Sequence, residues 1–334
     1  MLFPGRLTFM GKDGIIFLSN LEGIRLIYTV TLNPALDKTV EIDDFAVNTV
    51  NRIRTMRTDP GGKGINVSKV IQSLGGQSTA LGILAGSAGQ MIREMLENMG
   101  LSCDFTYVNG QTRTNLKIVD TLRHTNTDIN EPGPQISPEE LEQLIQKLDE
   151  KLNQGDILVL AGSIPAGISP DIYKELTIRY KEKGVKVFLD ADGESFAEGI
   201  KASPYLIKPN IDELSRYAGE KITDIRGILK AVKPLLQSGI EKIVVSMGAQ
   251  GAVFIQKGRI LIASSLNVPV LSTVGAGDSM VAALAYGEEK GLDEKKTYKL
   301  SMAMGAASVM CSGTQAPKAS TVESLYHMVN MIEL

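Results

Sequence analysis

The segment Ser272-Thr273-Val274-Gly275-Ala276-Gly277-Asp278-Ser279 constrains this chain more than any other. Gly275 and Gly277 let backbone N–H groups converge on one point without Cβ obstruction. Met280, Val281, Leu284 and Ala285 follow at helical spacing, which predicts a helix beginning at the turn. The unpaired N–H groups and the dipole of such a helix start favour an anion. Asp278 puts a carboxylate where that anion would sit. Two readings stay open: an N-cap aspartate after a flexible turn, or a base beside a phosphate cradle, as phosphoryl transfer to a hydroxyl requires.

A second glycine cluster, Pro60-Gly61-Gly62-Lys63-Gly64-Ile65-Asn66, precedes Val67, Val70, Ile71 and Leu74 on one helical face. Alone it reads as a turn before an ordinary helix. Two such clusters fit two ligands that both carry negative charge. Neither is a G-x-x-x-x-G-K-[ST] or a G-x-G-x-x-G sequence, which argues against a conventional P-loop or dinucleotide fold.

From residue 27 onward, apolar runs alternate with helical patterns. Ile27–Leu32, Thr79–Ala85, Ile157–Ala161, Val185–Leu189, Tyr205–Ile207 and Ile243–Met247 read as buried strands. Ile65–Leu74, Ala88–Met99, Glu139–Leu152 and about 170–183 read as helices between them. This rhythm predicts β-α-β units, a mainly parallel sheet covered on both faces, and ligands at the carboxyl ends of its strands. Asp37, Ser163, Asp190, Lys208 and Ser246 all lie at or just after such ends. Val40–Thr58 and Tyr107–Asn130 break the rhythm with polar, alternating patterns that read as exposed strands.

Asn33-Pro34-Ala35-Leu36-Asp37, Gly61-Gly62-Lys63-Gly64-Ile65-Asn66, Lys208-Pro209-Asn210-Ile211-Asp212-Glu213 and Val274-Gly275-Ala276-Gly277-Asp278 occur in that order. Together they resemble the ribokinase-like (PfkB) carbohydrate kinase family, and within it the sugar-phosphate branch. The resemblance runs from about Ile27 to near the C-terminus. It implies an α/β fold: a three-layer α/β/α sandwich with a mainly parallel central sheet and a small β-sheet lid. The kinase domain is expected over residues 26–334, with lid segments about 40–58 and 107–130, and the lid as a homodimer contact.

Roles follow residue by residue. Asp278 is the expected general base, with Gly275, Ala276 and Gly277 offering N–H groups to the transferred phosphoryl oxygens. Asp37 resembles the family's sugar-hydroxyl acceptor, with an Asx-turn as its plain alternative. Gly61, Gly62, Lys63 and Asn66 would line the sugar-phosphate pocket. Arg113, beside Asn115, is the expected clamp on the phosphate already present on the sugar, since a guanidinium meets phosphate through two parallel hydrogen bonds. Ser163 adds a hydroxyl contact or merely shapes a turn, and Arg52 is a weaker phosphate candidate. Lys208, Asn210, Ser246, Gly248, Gly251 and Gly277 match the nucleotide side, which implies ATP. Glu213 matches the family residue associated with Mg²⁺ through water, and an acidic helix start explains it equally well. Lys63 and Arg113 depart from ribose-type kinases as a pre-phosphorylated acceptor demands. The acceptor implied is a ketohexose phosphate, fructose 1-phosphate ahead of tagatose 6-phosphate, on the strength of Thr127-Asp128-Ile129-Asn130. A non-catalytic sugar-phosphate sensor is the reading from another class.

Composition bounds these expectations. The 334 residues are 43% hydrophobic and 22% charged, as in ordinary globular proteins, with a net charge of −3. That charge offers no general attraction to nucleic acid or an anionic membrane, so anions must be held locally. Cys103 and Cys311 form no C-x-x-C pair, which fits reduced thiols in the cytoplasm. His124 and His327 lack ligand spacing. Met1 to about Arg25 is expected as an extension outside the fold; its apolar patch Ile15–Leu18 is too short for a membrane span.

Overall fold

Strand β1 (Ile27–Thr31) is buried along its whole length, as its unbroken apolar and threonine run requires of a strand covered on both faces. The computed structural model describes residues 25–334. The expected extension therefore lies outside the described residues except for Arg25, whose guanidinium donates to the Glu288 carbonyl at 3.2 Å. After β1 come β2 (Ala35–Ile42), β3 (Thr55–Gly61), α1 (Lys63–Ser73), β4 (Thr79–Ala85), α2 (Gly86–Asn98) and β5 (Ser102–Val108). The chain continues through β6 (Arg113–Asp120), β7 (Thr125–Asn130), α3 (Pro138–Lys151), β8 (Ile157–Ala161), α4 (Ile172–Glu182) and β9 (Lys186–Asp190). Then follow α5 (Gly193–Gly199), β10 (Leu206–Ile207), α6 (Ile211–Ala218), α7 (Ile225–Gln237), β11 (Lys242–Ser246), β12 (Ala252–Gln256) and β13 (Arg259–Ala263). Helices α8 (Ala276–Glu289), α9 (Glu294–Val309) and α10 (Ala319–Met328) precede a last strand, β14 (Met331–Glu333).

Ten strands form one sheet in the order β14-β13-β12-β11-β10-β9-β8-β1-β4-β5. The β5-to-β11 part is parallel, and β12, β13 and β14 extend it antiparallel. Alternate residues of β8 face opposite cores. Leu158 and Leu160 pack with Leu144, Leu148 and Tyr173 from α3 and α4, while Ile157 and Val159 pack with α1, α8 and α9. The sheet is thus the middle of three layers.

The second sheet is small, four strands in the order β3-β2-β6-β7. β2 and β6 lie parallel at its centre, with β3 and β7 antiparallel outside them. Val40, Ile42 and Ile118 make its own minor core. Its strands sit at slightly different places from the polar patterns. Residues 43–54 form no strand, and Tyr107–Val108 close β5 of the large sheet. The lid springs from the carboxyl end of β1, because only Leu32, Asn33 and Pro34 separate β1 from β2.

Candidate active site between the sheet and the lid

Asp278 stands in the first turn of α8, whose N-cap is Gly275 with φ +83° and which no side chain caps. That left-handed turn is open to glycine at little cost and leaves first-turn N–H groups free. The Asp278 carboxylate is 6% exposed and accepts a hydrogen bond from Asn66 Nδ2 of α1 at 2.8 Å. Burial, with the neighbouring Asp190 carboxylate, pushes its pKa up to about 6 against the pull of Lys63, Asn66 and Lys208.

Asp190, at the carboxyl end of β9, ties the cluster together. Its Oδ1 lies 3.4 Å from Lys63 Nζ and 3.6 Å from Lys208 Nζ, and the residue is 2% exposed. Burial alone would raise the Asp190 carboxyl, but the two ammonium groups outweigh it and hold it ionised. The Asp190 charge in turn raises Lys63 above the usual lysine range. A Cβ on Gly277 would stand 3.1 Å from Lys208 Nζ, so this ammonium borders the α8 start. Two cations and free N–H groups therefore surround the carboxylate. Asp190 Oδ2 and Asn66 Oδ1 are buried acceptors without a partner.

The lid supplies a second cluster. Asp37 of β2 lies in register with Asp59 of β3 and Asn115 of β6. Asn115 Nδ2 donates to Asp37 Oδ1 at 2.9 Å, and burial raises the Asp37 carboxyl. Gly61 is bare because a Cβ there would stand 1.9 Å from Asp37 Oδ2. Gly62 follows as the residue before α1. Arg113 Nε and Nη2 both donate to the Asn33 carbonyl, at 3.2 and 3.0 Å, and Nη2 reaches Ser163 Oγ at 3.3 Å. Burial lowers the Arg113 guanidinium from its usual value. A Cβ on Gly162 would touch Lys63 Cβ at 3.7 Å, so the Ser163 turn joins the two clusters.

Of the expected nucleotide residues, Lys208 and Gly277 belong to the Asp278 cluster, and Asn210, Ser246, Gly248 and Gly251 form a third group. Ser246 bridges to Asn210, and its N–H donates to the Pro209 carbonyl at 3.1 Å. Gly248 and Gly251 bracket the short turn after β11. Asn210 and Glu213 make a reciprocal cap on α6: Glu213 N donates to Asn210 Oδ1 and Asn210 N to Glu213 Oε2, each at 2.8 Å. That cap engages the carboxylate in the manner of a helix start. Arg52 is exposed in the loop between β2 and β3. Among the described residues no group of three or more His, Cys, Asp or Glu could hold a metal. A Mg²⁺ carried on nucleotide phosphates needs no such group, and the partnerless Asp190 and Asn66 oxygens suit its water shell.

Sequence reasoning passed over Lys69. Its side chain is 7% exposed in α1, and Nζ donates to the Pro60 carbonyl at 3.0 Å and Thr314 Oγ1 at 3.2 Å. Burial pushes its pKa down to about 8. Local spacing carried no signal: two positions from Val67, Lys69 falls on the side of α1 opposite Val67, Val70 and Ile71, where a lysine reads as a solvated charge.

The buried Asp278 carboxylate at the uncapped start of α8, with Lys63 and Lys208 close to it and the small sheet opposite, is an arrangement that suits phosphoryl transfer to an alcohol. The family pattern of pfkB family carbohydrate kinases matches residues 30–321, and the chain belongs to that family. It is similar to the 1-phosphofructokinase of Rhodobacter capsulatus, with 35% identity over 306 residues, 91% of this chain and 97% of that protein. The 1-phosphofructokinase of Haemophilus influenzae is 36% identical over 307 residues, again 91% and 97% of the two chains. The crystal structure of Escherichia coli phosphofructokinase-2 in complex with fructose-6-phosphate superposes with a TM-score of 0.85 at 26% identity, covering 92% of this chain and 99% of that one. The chain is thus a 1-phosphofructokinase-like sugar kinase of ribokinase-like fold. Among the described residues no helix is long and apolar enough to cross a membrane.

Proposed function

We propose that this kinase transfers the γ-phosphoryl group of ATP to fructose 1-phosphate, giving fructose 1,6-bisphosphate and ADP. The observation that carries the reading is the buried Asp278 carboxylate, pushed up to about 6 and set at the uncapped start of α8. Such a group is ionised at neutral pH and basic enough to take the acceptor hydroxyl's proton as the O–P bond forms. Free N–H groups at Gly277 and Asp278, with Lys208 beside them, suit the charge on the transferred oxygens. Mg²⁺ on the ATP phosphates would neutralise charge there, with Glu213 and Asp190 reaching it through water. Ser246, Gly248 and Gly251 would form the nucleotide's further seat.

The acceptor is read by the lid. Asp37 and Asn115 offer acceptor and donor atoms to sugar hydroxyls, and Arg113 with Lys63 offers positive charge to the phosphate already present. A neutral hexose would bring Arg113 no anion and leave it on the neutral Asn33 carbonyl and Ser163 hydroxyl when the site closes. The named relatives support fructose 1-phosphate, and the fructose-6-phosphate complex of the similar structure makes that isomer the leading competitor. With ATP and Mg²⁺, kcat/KM should rank fructose 1-phosphate above fructose 6-phosphate and tagatose 6-phosphate, and all three above fructose. Arg113→Ala should lower kcat/KM for the phosphorylated sugar about 10²-fold, the scale of charge-assisted hydrogen bonds, and narrow its lead over fructose. Best activity on unphosphorylated fructose would overturn the clamp. A preference for another ketohexose phosphate would keep the mechanism and replace the substrate.

The lid also exposes apolar side chains at Val47, Val50, Ile53, Leu122 and Ile129. They support a homodimer through the lid. Sedimentation at micromolar concentration should show two chains, and a monomer there would remove the dimer.

A further inference from the structure

The outer lid strand is fastened to the far side of the cleft. Arg57 of β3 donates from Nε to Asp59 Oδ2 at 2.6 Å and from Nη1 to Ser312 Oγ at 2.9 Å. Ser312 belongs to the loop after α9. The next residue, Gly313, has φ +66°, and a Cβ on it would stand 2.1 Å from Arg57 Nη2, so the guanidinium lies directly on that backbone. Lys69 makes a second fastening. It bridges the Pro60 carbonyl at the end of β3 and Thr314 Oγ1, at 3.0 and 3.2 Å.

The same loop backs the phosphoryl side. Thr314 Cα and Cγ2 lie 3.8 Å from the position of a Cβ on Gly275, the left-handed residue that aims the first N–H groups of α8. The end of α9 supports the approach to that turn as well, because the Val309 carbonyl accepts from Leu271 N at 2.7 Å and Ser272 N at 3.2 Å. On the lid side, β3 is paired along β2, with Asp59 opposite Asp37. A run of paired strands and hydrogen bonds therefore leads from Asp37 through β3, Arg57 and Lys69 to Thr314, which borders the space beside Gly275.

We infer that Arg57 and Lys69 are positioning residues that make the two halves of the cleft bind their ligands interdependently. A sugar phosphate that fixes Asp37 fixes β2 and β3. Through Ser312 and Thr314, β3 then fixes the turn whose N–H groups receive the nucleotide phosphates. The reverse holds with equal force, because coupling between two binding equilibria is reciprocal. The inference rests on the two-substrate reading above but not on Asp278 as base, since it concerns binding alone.

The test is calorimetric titration of a non-hydrolysable ATP analogue with Mg²⁺, with and without saturating fructose 1-phosphate. In the unaltered protein the sugar phosphate should tighten the analogue at least about 5-fold, the lower end of ordinary coupling. In Arg57→Met and Lys69→Met the ratio should fall below about 2-fold, while each ligand alone changes less than about 3-fold, and Lys69→Arg should restore part of the coupling. A merely structural role would weaken both ligands and spare the ratio. If either variant fails to fold, Ser312→Ala and Thr314→Val cut the same bonds from the loop side and should lower the ratio likewise. Retention of the full ratio in the folded variants, or no coupling in the unaltered protein, overturns the inference. Failure of either ligand to bind the unaltered protein at all would sink the two-substrate reading and this inference with it.

Discussion

Asp278→Asn is expected to lower kcat by roughly 10²–10⁴-fold, the range for loss of a general base. The replacement amide can still meet Asn66, so ground-state binding of both ligands should change much less. The pH profile carries the same assignment. With the free-enzyme pKa raised to about 6, kcat/KM should fall as the pH drops through that value, because only the carboxylate accepts a proton. The variant should lose that limb. Its thermal midpoint should hold or rise at neutral pH, since an acid with a raised folded pKa is penalised when ionised. Near-normal turnover in the folded variant would remove Asp278 as the base. A midpoint lowered by many degrees would instead mark it as a structural cap.

The second large effect lies at the opposite end of the sheet. Glu288 of α8 accepts from Lys242 Nζ at 2.8 Å and from Lys186 Nζ, and both ammonium groups lie over the Tyr205 ring at 5.2 and 4.8 Å. Burial would raise its carboxyl, but Lys242 and Lys186 outweigh burial and hold it at about 2. A folded pKa below the unfolded value contributes stability above the unfolded pKa and loses it as pH falls through the folded one. The contribution at neutral pH is about 3 kcal/mol, the lower end of the cost of breaking a buried ion pair. Glu288→Gln should cost about that much and lower the thermal midpoint by roughly 4–5 °C. Denaturant unfolding should show the gap narrowing as pH falls from about 4.5 towards about 2. A gap of constant size over that interval would mean that packing, not charge, sets the cost.

Strands buried on both faces were the most legible parts of the chain. Thr79–Ala85 and Ile157–Ala161 stand where their continuous apolar runs predict. The antiparallel end of the large sheet was not foreseen, because short runs such as Ala252–Gln256 lack the helix-strand rhythm that marks the rest. Glycine turns before α1 and α8 were readable because few other residues allow those turns. What spacing could not show was convergence. Asp190 meets Lys63 from 127 positions away, and no local pattern signals that one buried carboxylate serves two lysines. Lys69 was not legible, because it lies on the side of α1 away from Val67, Val70 and Ile71 and is buried by the packing of the loop after α9. The Asn210–Glu213 motif carried two readings in the sequence, and the reciprocal cap accounts for the spacing of its two side chains.

The lid's central pairing joins β2 to β6 in parallel, with Ala35 opposite Arg113 and Asp37 opposite Asn115. Nothing local can close that pair. Of the intervening elements only β3 pairs with β2 locally; α1, β4, α2 and β5 must first settle on the large sheet before β2 and β6 meet. Loop-closure entropy places such a step late in folding. As the chain leaves the ribosome, β2 must wait without its central neighbour until β6 has been synthesised. The Asp37–Asn115 pair thus exists only once both sheets are assembled, so the sugar phosphate proposed to bind there would select the finished molecule over every partly folded form.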